Sequence, residues 1–153
     1  MIRQDCKELE RMSDLPFEDY ACKLFACFYF DEQINGTYYD AKKVIEKTTD
    51  LLGVGYIDDE LSVYEKSEGI NKTKMLLRFL GLPVMNVVYR PDFYKCKDGE
   101  YEILKLVKPG YAHFVPGDGN SNYTWDSLGI RKQQKDYKLK SKRIIIMDKK
   151  RSK

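Results

Sequence analysis

The spacing of hydrophobic residues predicts a long helix near the start of the chain. Between residues 17 and 28, apolar side chains recur at intervals of three and four positions, so they fall on one face of a helix. These side chains are Phe17, Tyr20, Ala21, Leu24, Phe25 and Phe28. We therefore expect a central core helix that ends near Asp31.

Two further helices are predicted in the first half of the chain. One is bounded by a capping box of Thr37 and Asp40 at its start and by Gly53 at its end. The other covers residues 71–80, where Asn71 is a favourable N-cap ahead of an apolar face. The first half should therefore be helical.

After Pro83 the helical spacing gives way to short runs of β-branched and aromatic residues. These runs cover residues 84–89, 101–107, 111–115, 122–126 and 143–147. Residues 116–122 are rich in Gly and Asn, which tolerate positive φ, so they predict a tight hairpin connection. Helices followed by a mostly antiparallel sheet define an α+β fold, which we expect to be a single domain over residues 1–148.

The composition favours a reduced intracellular protein. A chain of 153 residues suits one domain. Its four cysteines are irregularly spaced and form no CxxC pair, so we expect neither a disulfide scaffold nor a zinc site, and no other cofactor. No apolar run approaches the length of a membrane span, and the amino terminus lacks the apolar core of an export signal. We expect a cytoplasmic protein with no membrane contact.

Positive charge is concentrated at the carboxyl end. The net charge is +3, and residues 131–153 contain 11 Lys or Arg against 2 Asp. That balance of +9 leaves −6 for residues 1–130. We expect a solvated basic face and a frayed basic tail at residues 149–153, and we keep a weak contact with nucleic acid as the alternative.

The single histidine, His113, lies in the third predicted strand, and Asp126 lies in the fourth. A cysteine on an upstream helix, then a histidine, then an aspartate is the chain order of a Cys-His-Asp nucleophilic triad. Cys22 suits the role of nucleophile if Asp19 caps the helix, because the first turn of a helix favours a thiolate. A helix start near Pro16 would instead place Cys22 in the second turn.

Other interpretations of these residues stay open. Cys27 is the alternative nucleophile, although it flanks the apolar face of the helix, where a free cysteine usually behaves as a core residue. His113 can also be a buried, hydrogen-bonded strand residue without a catalytic role. Asp126 can simply close a turn by accepting backbone hydrogen bonds.

The sequence around these residues has an order that is found in one known superfamily. An aromatic residue, Ala21 and Cys22 stand at the head of an apolar helix; then come a helical middle, Ala-His-Phe-Val around His113, a Gly/Asn turn and Tyr-Thr-Trp-Asp-Ser-Leu-Gly around Asp126. This order resembles the papain-like cysteine peptidases. The most similar branch is that of the compact bacterial enzymes such as the bacteriocin-leader peptidases, with their uncharacterised bacterial and phage relatives. The resemblance spans residues 20–147.

The resemblance implies a papain-like fold with N-terminal helices packed on a C-terminal sheet. It implies Cys22 as nucleophile, His113 as base and Asp126 as the group that orients the imidazole. The expected activity is that of a cysteine peptidase or amidohydrolase, which acts by acyl transfer on a peptide or amide substrate and needs no cofactor or metal.

Two positions depart from the active members of that branch. Those enzymes usually have a glutamine about six residues before the cysteine, where its amide helps form the oxyanion hole, and this chain has Pro16 there. The nearest upstream glutamine is Gln4, which can take that role if residues 5–21 loop out. The nucleophile is usually followed by glycine, and here it is followed by Lys23.

Three classes of function therefore remain after the sequence is read. The first is a cysteine peptidase or amidohydrolase, and the second is a catalytically inactive papain-fold interaction module. The third is a small basic protein that associates with nucleic acid. The oligomeric state is not predicted.

Overall fold

The computed structural model describes residues 1–63, 71–129 and 136–148. Within these ranges, four α-helices come first and a four-stranded antiparallel sheet follows, so the predicted α+β class is confirmed. None of the described helices is long and apolar enough to cross a membrane. The predicted basic tail, residues 149–153, lies outside the described residues.

The helices include one that the sequence pattern did not predict. They are α1 (Lys7–Met12), α2 (Cys22–Asn35), α3 (Ala41–Val54) and α4 (Lys72–Phe79). α1 has only six residues and buries only Leu9, so it carries no apolar periodicity. The prediction of α4 is confirmed together with its cap, because the Asn71 side chain accepts a hydrogen bond from the backbone N–H of Lys74.

The predicted bounds of α3 are wrong at both ends. Asp40 itself is the N-cap and accepts a hydrogen bond from the backbone N–H of Lys43, so Thr37 lies outside the helix. Gly53 lies within α3. The helix ends at Val54, and its C-cap is Gly55, whose φ of 78° is a left-handed conformation that glycine adopts without strain.

Four of the five predicted strands are present. They are β1 (Val84–Pro91), β2 (Glu100–Lys108), β3 (Tyr111–Gly117) and β4 (Lys138–Met147). Their order in the sheet is β1-β4-β2-β3, and all neighbours are antiparallel. The predicted strand at residues 122–126 is wrong, because only Tyr123 forms an isolated bridge, with Gly117. Asp126 instead lies in irregular chain, where its carboxylate accepts the backbone N–H of Leu128.

The last strand in sequence lies in the interior of the sheet. β4 pairs with β1 on one side and with β2 on the other. Two of its basic residues, Lys142 and Arg143, are buried, so they do not belong to the predicted solvated basic face. The Lys142 ammonium forms an ion pair with the Glu102 carboxylate at 2.8 Å, and both side chains are fully buried.

The core is built around α2. Its residues Leu24, Phe25 and Phe28 are completely buried, and the Phe25 ring contacts both Phe17 and Phe28 edge to face. α2 packs against β3, the edge strand that carries His113. This packing brings the start of α2 towards the middle of β3.

Candidate active site

Cys22 is the first residue of α2 and follows the N-cap Ala21. The helical hydrogen bonds begin with the Phe25 N–H donating to the Ala21 carbonyl, so neither predicted start, at Asp19 or near Pro16, is correct. The first four N–H groups of a helix have no partner within it, and they favour a nearby negative charge. The N-cap Ala21 forms no side-chain cap hydrogen bond, and Cys22 lies in the first turn of the helix, beside these N–H groups.

His113 lies on β3, opposite Leu106 of β2, and is only 3% exposed. Its Nε2 atom is 2.8 Å from Oδ1 of Asp126, which is also buried. Since Nε2 is occupied by Asp126, Nδ1 is the ring nitrogen that remains for another partner.

The connection between His113 and Asp126 is held by backbone bonds and by the buried carboxylate of Glu102. Glu102 accepts the N–H groups of Gly119 and Ser121 at 2.9 and 3.0 Å. On the far side of the turn, the Pro116 carbonyl accepts the N–H of Thr124 at 2.9 Å. The predicted hairpin connection therefore does bring His113 and Asp126 together, although Asp126 is not on a strand.

The charges around the imidazole raise the pKa of His113. Burial by itself lowers that pKa, because it disfavours the imidazolium. Hydrogen bonds to Asp126 and Cys22, together with the negative charges of these groups, outweigh burial and raise the pKa to about 9. Asp126 and Cys22 are thus both neighbours of His113, and the three side chains form the Cys22-His113-Asp126 cluster.

The other cysteines have different surroundings. Cys27 is fully buried in the core, and burial raises the pKa of its thiol to about 12. Burial, reinforced by the carboxylate of Glu102, also raises the pKa of Cys96 to about 12. Cys6 precedes α1 and lines a cavity that neither Cys22 nor His113 lines. Of the two candidate nucleophiles, Cys22 is the one whose thiol interacts with His113.

Cys22 and His113 line one cleft with a volume of about 550 Å³. The remaining lining residues are Glu18, Asp19, Tyr20, Lys108, Gly110, Tyr111, Ala112, Leu128 and Tyr137. The cleft is open to solvent along exposed side chains such as Tyr20 and Tyr111. The Tyr137 ring lies 6.2 Å from the His113 ring, centroid to centroid, and is a neighbour that the sequence pattern did not single out.

Gln4 lies beside the cleft of Cys22 and His113 because the residues that follow it form a loop. Its side-chain Nε2 donates to the Phe17 carbonyl at 3.0 Å, so the residues between them, including α1, loop out. Gln4 lines a cavity of about 270 Å³ that shares Glu18 and Asp19 with the cleft of Cys22. The residues after Gln4 therefore do loop out as far as Phe17, and Gln4 lies beside the cleft of Cys22 and His113 without lining it.

Ser127 is a polar neighbour of this cluster that the sequence analysis missed. Its hydroxyl donates to Oε1 of Gln4, and its carbonyl accepts the backbone N–H of Gln4. In the sequence, only the position of Ser127 directly after Asp126 indicated that it lies near the site. Within the described ranges, no group of three His, Cys, Asp or Glu side chains is arranged to hold a metal ion.

These features define an α+β protein whose cleft joins a helix-terminal cysteine to a buried histidine and aspartate. The chain belongs to the DUF261 family, described as a protein of unknown function, whose family model matches residues 3–147. The matched range includes all members of the cluster as well as Gln4 and Ser127. Comparison with curated proteins and with solved structures gave no match.

Proposed function

We propose that this protein is a cysteine-dependent hydrolase, a peptidase or amidohydrolase that acts by acyl transfer. The observation that carries the proposal is the placement of three side chains. Cys22 is at the first position of α2 and interacts with His113, whose Nε2 is bonded to Asp126 at 2.8 Å. A nucleophile, a base and an orienting acid in this order are the parts that nucleophilic acyl transfer needs.

The roles of Asp126 and Cys22 follow from the two nitrogen atoms of the imidazole. Asp126 holds the tautomer with hydrogen on Nε2 and leaves Nδ1 to take the proton of the Cys22 thiol. The raised pKa of His113, about 9, means that the imidazole carries that proton at neutral pH. An imidazolium beside a helix-terminal sulfur stabilises the thiolate.

The proposed reaction needs only Cys22, His113 and water, and no cofactor. The Cys22 thiolate attacks the carbonyl carbon of the substrate, and the carbonyl oxygen takes the electron pair as an oxyanion. When this intermediate collapses, the bond to the leaving amine breaks and the amine takes the proton of His113, which leaves a thioester on Cys22. In the second half of the reaction His113 takes a proton from a water molecule, whose oxygen attacks the thioester carbonyl carbon. The carbon–sulfur bond then breaks, the acid product leaves, and the Cys22 thiolate and the protonated His113 are restored.

The oxyanion requires donors that are already in place. The backbone N–H of Cys22, free at the helix start, is one donor in this proposal. The side-chain amide of Gln4 is the second, and its loop brings it to the cavity beside the cleft.

Two observations bear on the alternative functions. Lys23 stands where enzymes of the resembled branch usually have glycine, and it is buried. Its ammonium lies 5.4 Å from the centre of the Phe114 ring, and both residues line a second pocket beside Cys22. An inactive interaction module remains the alternative that the experiment below tests. Burial of Lys142 and Arg143 reduces the charge that the C-terminal region offers to nucleic acid.

Acylation by an activated ester tests the proposal. With p-nitrophenyl acetate we expect a burst of one nitrophenolate per wild-type molecule and an acetyl group on Cys22, located by peptide mass spectrometry. Cys22→Ala should abolish the burst, and His113→Ala should slow it by about 10²–10⁴-fold, the usual worth of a general base. Cys27→Ala is the matched control and should keep the burst. A wild-type protein that gives no burst would favour the inactive interaction module, and a burst that survives in Cys22→Ala would contradict Cys22 as the nucleophile.

A further inference from the structure

Gln4 and Ser127 are joined twice although they are 123 positions apart in the chain. The backbone N–H of Gln4 donates to the Ser127 carbonyl at 3.0 Å, and the Ser127 hydroxyl donates to Oε1 of Gln4. Both residues are almost inaccessible, with exposed fractions of 1% and 2%. The side-chain amide of Gln4 is therefore held in one place.

The contacts also fix the direction of this amide. A glutamine side chain has an acceptor at Oε1 and two N–H donors at Nε2. The Ser127 hydroxyl occupies the oxygen end, while the Phe17 carbonyl accepts from the nitrogen end at 3.0 Å. In the flipped amide, Oε1 would face the Phe17 carbonyl, and two acceptors would repel each other.

Through Gln4, Ser127 connects the segment of Asp126 with the segment that leads into Cys22. It follows Asp126 directly, and Phe17 lies on the segment that leads into Cys22. The Phe17 carbonyl takes one of the two Nε2 hydrogens of Gln4, and the second is the one to which the proposed function assigns the oxyanion.

We infer that Ser127 is a positioning residue, which sets the direction of the Gln4 amide so that Nε2 serves as an oxyanion donor. This inference rests on the proposed acyl-transfer function. Ser127 itself touches neither the substrate nor the reacting atoms; it acts through Gln4. Without its hydroxyl, Oε1 of Gln4 loses its buried donor and the amide is free to turn away.

Two reactions of the same thiol separate this role from a merely structural one. Acylation by p-nitrophenyl acetate passes through an oxyanion and needs the Gln4 donor. Alkylation by iodoacetamide displaces iodide and forms no oxyanion, so it reports only the thiolate. The ratio of the two rates therefore isolates the contribution of Gln4, and the melting temperature of each variant reports its folding.

We expect Gln4→Ala to lower the ratio of acylation to alkylation by about 100-fold, the typical effect of losing one oxyanion donor. Ser127→Ala should lower the ratio by about ten-fold, since the donor remains but is no longer held. Ser127→Thr keeps the hydroxyl and should restore the ratio to within about three-fold of wild type. If Ser127→Ala does not fold, Ser127→Cys, with a weaker donor of similar size, must give an intermediate ratio.

A Ser127→Ala or Ser127→Cys ratio equal to that of wild type would overturn the inference. So would a parallel fall of both rates, which is the sign of a structural role. A wild-type protein that is alkylated but never acylated would overturn the proposed function, and this inference with it. Acylation that is strong in wild type and insensitive to Ser127 would overturn the inference alone.

Discussion

A single buried imidazole links the proposed chemistry of this protein to its stability. The pKa of His113 is raised from 6.5 to about 9 because its hydrogen bonds to Asp126 and Cys22 outweigh the effect of burial. Folding therefore favours the protonated ring. The resulting stabilisation is fully present below the unfolded pKa of 6.5 and is lost as pH rises through 9.

Comparison of wild type with His113→Gln measures this linkage. Because one pKa unit corresponds to about 1.4 kcal/mol, the stabilising effect of the proton amounts to at most about 3 kcal/mol. We expect the difference in the free energy of unfolding between the two proteins, from urea titrations, to shrink by about 2–3 kcal/mol between pH 6 and pH 9.5. A difference that stays constant over this interval would show that folding leaves the pKa of His113 unchanged, and would contradict the account.

The residues of the site differ in how well the sequence could predict them. The chain order of Cys22, His113 and Asp126 was enough to propose that they meet, because helix starts and hairpins are local features. The same reasoning misplaced the helix cap at Asp19, since propensity alone does not show where the hydrogen-bond ladder begins. Ser127 could not be predicted, because its role depends on a contact with Gln4 from the other end of the chain.

Among the elements, β2 and β4 are joined by an ion pair that also supports the connection between His113 and Asp126. Glu102 of β2 pairs with Lys142 of β4 and accepts two backbone N–H groups of the turn before Asp126. Space for a side chain is lacking at Gly117, where a Cβ atom would come within 2.4 Å of the Glu102 carboxylate. The Glu102–Lys142 pair therefore helps to position the turn before Asp126.

Removing the cation should cost more stability than removing the pair. Lys142→Met leaves the Glu102 carboxylate buried without its partner, and we expect a loss of about 3–5 kcal/mol in the free energy of unfolding. The double variant Glu102→Gln/Lys142→Met leaves no uncompensated charge and should recover part of that loss. Lys140→Met, an exposed position on the same strand, is the control and should change stability by less than about 0.5 kcal/mol. A Lys142→Met protein as stable as this control would contradict the account.

Element types were easier to predict than their places in the fold. α4 and its Asn71 cap follow from local sequence, whereas α1 is too short to show a period. The run at residues 122–126 has strand composition, but Asp126 bonds to His113 and to the N–H of Leu128 instead of pairing in the sheet. The interior position of β4 depends on pairing with two distant strands, which the spacing of its own residues does not encode.

At the scale of the whole molecule, the fold holds the proposed nucleophile and its proposed base on different layers. α2 supplies Cys22 from the helical half, and the edge strand β3 supplies His113 from the sheet. The amino-terminal loop adds Gln4 and the connection after β3 adds Asp126 and Ser127. Activity should therefore depend on the docking of the two halves, since neither contains a complete site.

The reactivity of the four cysteines at pH 6 tests the central claim most directly. An ordinary thiol is almost wholly protonated at that pH, and the raised pKa values of Cys27 and Cys96 make them less reactive still. With iodoacetamide, followed by peptide mapping, we expect Cys22 to be alkylated at least about ten times faster than Cys6. The rate at Cys22 should fall in Asp126→Asn, which disturbs the imidazole tautomer. Equal labelling of Cys22 and Cys6, or no labelling of Cys22 in the folded protein, would contradict the account.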